Sequence, residues 1–142
     1  MQRELWGPGR MPKGMQVLLL RHWTYVNHAV PEAYQNARSK FQGDSVAILE
    51  GGQLYNQHCT SCHGANGLGN GIAGKSFMPS PALLSYMIKQ PISADEYLLW
   101  AIADGGVQFQ TSMPAFKDKL ARDEIWKVIA YMRAGFSKKK AK

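Results

Sequence analysis

The sequence predicts an all-α protein of short helices joined by long loops. No segment alternates apolar and polar residues over the length of a strand, whereas several segments combine a helix start signal with apolar residues at helical spacing. With 142 residues the chain fits one domain with an extension. We divide it into an N-terminal arm of residues 1–43, a helical domain of residues 44–136 and a basic C-terminal tail of residues 137–142.

The N-terminal arm is predicted to be irregular or partly helical. Residues 1–14 contain two clusters of glycine and proline, which break regular structure. Residues 15–30 favour a short helix, Pro31 bends the chain, and residues 32–41 favour one or two further helical turns. The arm also carries aromatic side chains, which are unusual for a disordered segment, so we expect it either to wrap the domain or to dock onto a partner. These aromatic residues are Trp6, Trp23, Tyr25, Tyr34 and Phe41.

The first half of the domain is predicted to hold one long helix, a glycine-rich loop and a shorter helix. Asp44 or Ser45 is a suitable N-cap for a helix that runs into Cys59. Five glycines follow within eleven residues of His63, and each would cost a helix ~1 kcal/mol, so this stretch is predicted to be a loop. The pair Ser80-Pro81 then favours the start of a helix that reaches about Lys89.

Two more helices are predicted in the second half. Ser93 and Glu96 have the spacing of a capping box, which would open a helix through Leu98, Leu99 and Ile102 to Ala103. The pair Gly105-Gly106 is expected to end it. Acidic residues at positions 123 and 124 favour the start of the last helix, and Gly135 favours its end. Its apolar stripe consists of Ile125, Val128, Ile129 and Met132.

Composition and charge exclude several classes of protein. Two cysteines cannot build a disulfide scaffold, and no apolar run approaches the ~20 residues of a membrane span. The formal net charge of +7 divides into +3 for residues 1–45 (six Lys/Arg, three Asp/Glu), zero for residues 46–135 (seven of each) and +4 for residues 136–142 (four Lys). The basic ends favour solubility, with an acidic partner or an anionic membrane surface as the alternative. No feature indicates nucleic-acid binding.

The segment Cys59-Thr60-Ser61-Cys62-His63 has the C-x-x-C-H pattern of covalent haem attachment. Two thiols three positions apart on a turn can reach the two vinyl groups at one edge of a haem. The histidine that follows can then offer an imidazole nitrogen to the iron. The pattern therefore predicts one haem c, with Cys59 and Cys62 as its thioether anchors and His63 as the proximal iron ligand.

Other uses of a C-x-x-C pair fit the sequence less well. A thioredoxin-like redox pair needs a βαβ setting, which the sequence does not predict. A zinc site needs four ligands, and no second C-x-x-C or H-x₃₋₅-H pair completes the set.

The sixth position of the iron takes a protein ligand, stays open or holds water. Methionine sulfur is a common ligand in electron carriers, and it raises the reduction potential. Met113 is the first candidate, since it lies in a predicted loop and the following Pro114 stiffens the backbone. Met78, which precedes Pro79, is the second candidate. His22 and His28 of the N-terminal arm are weaker alternatives.

Residues 44–136 closely resemble the class I (mitochondrial-type) cytochrome c family in its bacterial single-haem form. Gly51-x-x-x-Tyr55-x-x-x-Cys59 resembles the first helix of that family, and Val128-Ile129-Ala130-Tyr131 resembles the stretch of the last helix that the first one contacts. The resemblance implies that Gly51 approaches Val128 and Tyr131. Ser112-Met113-Pro114-Ala115-Phe116 resembles the segment that carries the distal ligand, which strengthens the choice of Met113.

The resemblance implies a cytochrome c-like domain of about four short helices around one covalently bound haem. In this family a proline carbonyl holds the proximal histidine, and here Pro79 and Pro81 both remain possible. An apolar shell is expected to keep water from the iron. Its expected members are Tyr55, Leu84, Leu98, Ile102 and Tyr131.

The function that the resemblance implies is one-electron transfer to or from a larger redox enzyme or respiratory complex, without catalysis by the chain itself. A relay subunit docked through the N-terminal arm is one alternative, and an open-site haem protein that acts on peroxide or senses a small gas is another. Because haem is normally attached to such motifs on the outer face of an energised membrane, we expect a periplasmic or outer-face location. We also expect that a signal segment has been removed from the chain or was never included in its numbering.

Overall fold

A computed structural model describes residues 13–76, 84–109 and 111–136 of the chain. Their regular structure is helical throughout, and none of these residues lies in a β-strand, so the all-α prediction is confirmed. The α-helices are α1 (Lys13–His28), α2 (Ser45–His58), α3 (Thr60–His63), α4 (Leu84–Met87), α5 (Asp95–Asp104) and α6 (Arg122–Arg133). Short 3-10 turns lie at Glu32–Tyr34, Ala73–Ser76 and Val107–Phe109.

Helix α2 begins as its sequence predicts. The Asp44 carboxylate accepts a hydrogen bond from the Ala47 N–H at 2.9 Å, which satisfies one of the free amides in the first turn. The helix ends at His58, and the N–H of Cys59 still donates to the Tyr55 carbonyl at 2.8 Å. Cys59 is therefore fixed to the last turn of a long helix.

Helix α5 begins differently from the prediction, because Ser93 and Glu96 do not form a capping box. The N-cap is Ala94, and no side chain caps this end. The Ser93 hydroxyl donates to the Met87 carbonyl at 2.6 Å. The Glu96 carboxylate instead accepts from the Tyr25 hydroxyl at 2.9 Å and from the Asn36 N–H at 2.8 Å. Contacts with the N-terminal arm thus take the groups that a local cap would have used.

Helix α6 fits its prediction at both ends. The Glu124 carboxylate accepts from the Ala121 N–H at 2.8 Å, which is the half of a capping box that needs no hydroxyl. The predicted apolar stripe is buried, with every member 4% exposed or less. Beyond Arg133 the backbone of Gly135 has a φ of +91°, the left-handed conformation that commonly ends a helix.

Helices α2 and α6 make the most extensive helix–helix contact of the described residues. At their crossing, a Cβ atom built on Gly51 would lie 1.9 Å from the Lys127 carbonyl oxygen and 3.1 Å from the Tyr131 Cβ. Only glycine permits this approach of two backbones. The implied contact of Gly51 with Tyr131 is confirmed, and the atom nearest to Gly51 belongs to Lys127.

The described part of the N-terminal arm packs against α5 and α6. Val30 and Tyr34 are 2% and 7% exposed and belong to the same apolar core as the two helices. The Tyr34 hydroxyl donates to Asp104 at 2.6 Å, and Arg122 donates to the Ala33 carbonyl at 2.9 Å. The arm is thus attached to α5 and α6 by hydrogen bonds, with the buried side chains of Val30 and Tyr34 beside them.

One side of α1 remains exposed. Leu20, Trp23 and Val26 lie at intervals of three residues and are 43%, 56% and 74% exposed. Within the described part of the chain, no helix is both long enough and apolar enough to cross a membrane.

Candidate functional site

The cysteine–histidine motif forms a single helical turn at the end of α2. Within α3 the N–H groups of Cys62 and His63 donate to the Cys59 carbonyl at 3.2 and 2.9 Å. Residues three and four positions apart on a helix are neighbours on one side of it. The turn therefore groups Cys59, Cys62 and His63, as the sequence predicts for a haem-attachment motif.

The two thiols are free of a disulfide, and both residues are partly buried. Cys59 packs against the apolar core. Burial, and secondarily the neighbouring Cys62, raises the pKa of the Cys59 thiol to about 12. Neither sulfur atom is used in a disulfide, and the two residues lie three positions apart, as two thioether anchors require.

The glycine-rich loop folds back onto the motif turn. The N–H of Gly69 donates to the His63 carbonyl at 2.8 Å, and the N–H of Gly71 donates to the Cys62 carbonyl at 3.2 Å. A Cβ on Gly71 would lie 2.3 Å from the Ser61 carbonyl oxygen. The loop thus satisfies the last carbonyls of α3, and its close approach requires glycine at position 71.

Tyr55 anchors the motif to the helix crossing. Its side chain is 1% exposed, and its hydroxyl donates to the Gly64 carbonyl at 2.7 Å. Its ring packs against Tyr131 and Phe136 at centroid distances of 5.4 and 5.3 Å. Burial raises the pKa of Tyr55 above its ordinary value, so the hydroxyl remains a hydrogen-bond donor. The residue directly after His63 is in this way fixed to α2 and α6.

Met113 is held by a network of backbone contacts beyond the end of α5. It is partly buried and packs against the core. The N–H of Gly106 donates to the Met113 carbonyl at 3.1 Å, and the N–H of Met113 donates to the Thr111 hydroxyl at 3.2 Å. A Cβ on Gly105, whose φ is +70°, would lie 2.6 Å from the Pro114 carbonyl. The segment therefore crosses directly over the pair of glycines that ends α5.

A ring contact links the Met113 segment to the motif. His58, which directly precedes Cys59, packs edge-on against Phe116 at a centroid distance of 5.9 Å. Phe116 lies three residues after Met113, and its N–H donates to the carbonyls of Ile102 and Ala103 at 3.2 and 3.1 Å. The motif and the Met113 segment thus lie at the same end of the helical domain.

Of the other predicted site residues, one lies on the exposed side of α1 and several lie outside the described residues. His28 is exposed on α1, with its ring against Trp23 at 5.2 Å. Met78, Pro79 and Pro81 lie outside the described residues, as do Trp6 and the lysines of the C-terminal tail.

The described residues fit a haem c. Two free thiols and an imidazole share one turn, and a thioether lies on a neighbouring rigid segment. Of the predicted apolar shell, Tyr55, Ile102 and Tyr131 are buried and Leu84 and Leu98 are partly buried. Among the described residues, Trp100 Nε1 is a buried donor without a partner, a group that a buried ligand bearing carboxylates can satisfy.

Two further observations bear on ligands. No group of three or more His, Cys, Asp or Glu side chains within the described ranges is arranged to hold a metal ion. A cleft of about 360 Å³ lies elsewhere, between α4 and the end of α6, and its lining includes none of Cys59, His63 and Met113.

Sequence reasoning missed three residues that shape the site. Arg21 contacts Gly105, Trp100 offers its buried N–H, and Thr111 supports Met113. Arg21 and Thr111 have no motif of their own, and Trp100 is recognisable only once its burial is known. Only the tertiary structure identifies them.

Solved structures that are similar to this chain include the following two. A chain of the reducing HAO-like protein complex of Kuenenia stuttgartiensis is 22% identical with a TM-score of 0.54, over 66% of this chain and 45% of that one. This chain thus spans less than half the length of that protein. Cytochrome CL from the marine methylotrophic bacterium Methylophaga aminisulfidivorans is 23% identical over 79% of this chain and 65% of that one, with a TM-score of 0.49. No curated protein matches the chain.

The family described as "Cytochrome C oxidase, cbb3-type, subunit III" matches residues 46–132. The match covers more than half of the chain and includes both the C-x-x-C-H turn and Met113. It confirms a bacterial c-type cytochrome, with covalently bound haem c and its iron as the cofactor and electron transfer as the general function. The chain therefore belongs to the family described as "Cytochrome C oxidase, cbb3-type, subunit III".

Proposed function

We propose that the chain relays single electrons between redox proteins through one haem c held by Cys59, Cys62, His63 and Met113. The observation that carries the proposal is the turn that groups both thiols and the imidazole. The contact between His58 and Phe116 supports Met113 as the second protein ligand of the iron, beside His63, since it brings the Met113 segment to the same end of the domain as the motif.

Each protein group has a separate task in this proposal. Cys59 and Cys62 would hold the haem covalently through their sulfur atoms. His63 and Met113 would supply a nitrogen and a sulfur ligand to its iron. When bound, the haem supplies an iron that changes between the ferric and ferrous states.

Ligation by both His63 and Met113 would favour electron transfer over catalysis. With both residues bound, the iron would have no position open for a substrate. A thioether ligand also favours the ferrous state and raises the reduction potential. The hydrogen bonds that hold the motif turn and Met113 keep both ligands in place during the change of charge, which suits a carrier. We therefore propose that the chain is not an enzyme by itself.

Substitution of Met113 by leucine tests the ligation. The ferric wild type should show the weak absorption band near the red end of the spectrum that sulfur ligation gives, and it should not bind added cyanide readily. The ferrous wild type should likewise not bind added carbon monoxide readily. Met113→Leu should lose the band and bind both ligands. Met132→Leu is the matched control, because Met132 is a core residue that is 4% exposed, and it should keep the band. Ready binding of carbon monoxide by the wild type would favour the open-site alternative.

A relay subunit of a multi-subunit oxidoreductase is the more specific form of the proposal. The family description names a subunit, and the solved structure from Kuenenia stuttgartiensis is described as a protein complex. The charge pattern is consistent with docking, since residues 46–135 are neutral and both ends are basic. The proposed partners are redox proteins, with the N-terminal arm as the docking element, and the proposed location is the periplasm or the outer face of the membrane. The division into residues 1–43, 44–136 and 137–142 stays a prediction.

Limited proteolysis of the N-terminal arm tests the subunit form. If the arm docks the chain onto a larger enzyme, its removal should slow electron exchange with the enzyme that co-purifies from the native membrane or periplasmic fraction far more than it slows reduction of the haem by a small-molecule reductant. A chain that remains a monomer in size-exclusion chromatography and exchanges electrons equally fast without its arm would contradict the subunit form.

A further inference from the structure

The N-terminal arm places one arginine against the loop that carries Met113. From α1, the Arg21 Nη2 donates to the Gly105 carbonyl at 3.4 Å, and the guanidinium carbon lies 5.5 Å from the centroid of the Phe109 ring. A Cβ on Gly106 would lie 2.7 Å from the Arg21 Nη2, so the guanidinium rests directly on the glycine pair. Arg21 lies outside the residues that the family matches, 46–132.

Gly106, which Arg21 contacts, makes the hydrogen bonds that position Met113. Gly106 donates its N–H to the Met113 carbonyl at 3.1 Å, and its own carbonyl accepts from the Thr111 N–H at 3.0 Å. The Thr111 hydroxyl in turn accepts from the Met113 N–H at 3.2 Å. Movement of Gly106 would therefore disturb both backbone hydrogen bonds of Met113.

The surroundings of Arg21 hold it in this position. Its Nε is buried, and its side chain also interacts with the Tyr97 side chain of α5. The Phe109 ring under the guanidinium packs in turn against Trp100 of α5, with the centroids 5.7 Å apart. A partly desolvated cation over an aromatic ring is attracted to the face of that ring. Arg21 is thus fixed to α5 and to the loop that follows it.

We propose that Arg21 is a positioning residue for the sixth ligand of the iron. By holding Gly105 and Gly106 from outside, it limits the excursions of the loop and keeps the Met113 sulfur on the iron. The inference rests on the proposed ligation by His63 and Met113. It gives the N-terminal arm a role in keeping the Met113 sulfur bound to the iron.

Arg122 provides a matched control within the same chain. Its Nη2 donates to the Ala33 carbonyl at 2.9 Å, and its guanidinium carbon lies 5.5 Å from the centroid of the Tyr34 ring. It therefore joins the arm to the domain by the same pair of interactions as Arg21. Its contacts fall in the 3-10 turn Glu32–Tyr34 rather than beside Met113.

The test compares Arg21→Ala, Arg21→Lys and Arg122→Ala in the full haem-loaded chain. For each ferric protein we would measure the sulfur band, the rate of cyanide binding and the midpoint potential. Arg21→Ala should bind cyanide at least about fivefold faster, the factor that corresponds to a contact of this kind, and should have a weaker band and a lower potential. Arg21→Lys should change all three measurements less than Arg21→Ala does, because lysine keeps the positive charge. Arg122→Ala should match the wild type in all three measurements.

The outcomes separate the inference from the proposed function. A wild type without the sulfur band would refute the proposed ligation before any variant is compared. With the band present, equal cyanide rates for Arg21→Ala and the wild type would overturn the inference. Equal acceleration by Arg21→Ala and Arg122→Ala would overturn it too, because docking of the arm alone would then explain the effect.

A second variant covers the case in which Arg21→Ala does not load haem. Gly106→Ala would place a methyl group 2.1 Å from the Thr111 hydroxyl oxygen and 2.7 Å from the Arg21 Nη2, so it should displace the guanidinium. We expect it to accelerate cyanide binding as Arg21→Ala does. An unchanged cyanide rate in both Gly106→Ala and Arg21→Lys would overturn the inference.

Discussion

Replacing Gly51 by alanine is expected to separate α2 from α6. The added methyl group would lie 1.9 Å from the Lys127 carbonyl oxygen and 2.4 Å from its carbon. Both atoms belong to the backbone of a helix, so no side chain can rotate away to make room. The two helices must move apart by about 1 Å or more before the contact becomes tolerable, because real Cβ atoms essentially never approach closer than 3.0 Å.

The size of the effect is the difference between two opposing contributions. Overpacking of a well-packed contact costs about 1–3 kcal/mol, and a backbone obstacle belongs at the upper end of that range. Alanine stabilises the helix interior by about 1 kcal/mol relative to glycine. The free energy of unfolding should therefore fall by about 2 kcal/mol. For a chain of this length the melting temperature should fall by about 4–8 °C.

Urea titration of the haem-loaded protein, followed by far-UV circular dichroism, measures this change. The control is Gln53→Ala, an exposed position on the same helix, which should change the free energy of unfolding by no more than about 0.5 kcal/mol. The separation should also disturb the buried Tyr55 ring, which packs against Tyr131 of α6 at 5.4 Å. The haem absorption spectrum should therefore change in Gly51→Ala and not in Gln53→Ala.

The reasoning would be refuted if Gly51→Ala were as stable as Gln53→Ala. Such a result would mean that the contact between the two helices can relax without loss of packing. If both variants lost stability, the cause would be a change within α2 and not the contact between α2 and α6.

Three other substitutions probe single interactions. Tyr55→Phe removes the hydroxyl that donates to the buried Gly64 carbonyl, so chemical denaturation should show a loss of about 1–2 kcal/mol. Asp44→Ala removes the N-cap of α2 and should cost about 1 kcal/mol in the same assay. Burial acts to raise the pKa of Asp95, but a backbone N–H and the Arg133 guanidinium at 2.7 Å outweigh it and hold the pKa below its usual value. Its stabilising effect should be complete above about pH 4 and disappear as the pH falls through the lowered pKa, so Asp95→Asn should flatten the acid limb of a stability–pH curve.

The parts of the structure that could be predicted from sequence are those that local chemistry determines. Asp44 caps α2 through an amide three residues away, and a left-handed glycine follows each of α5 and α6. The grouping of Cys59, Cys62 and His63 likewise follows from their spacing on one turn. These features depend on residues close together in the chain, so their pattern is visible without the fold.

The parts that could not be predicted depend on contacts between distant residues. Ser93 and Glu96 have the correct spacing for a capping box, but Tyr25 and Asn36 reach the Glu96 carboxylate from the N-terminal arm. A charged acceptor with two donors already in place gains little from turning back to its own helix. The position of Arg21 against the Met113 loop is a consequence of the same docking and leaves no local pattern in the sequence.

The polar contacts of the N-terminal arm connect residues that lie far apart in the chain and are therefore synthesised at different times. The pairs Tyr34–Asp104, Asn36–Glu96 and Ala33–Arg122 are separated by 70, 60 and 89 positions. Because the entropy of closing a loop grows only with the logarithm of its length, these separations cost little more than shorter ones once the chain is complete. During synthesis, however, the arm emerges first and its binding surfaces emerge last. Val30 and Tyr34 therefore stay in contact with water until the final third of the chain is available to bury them.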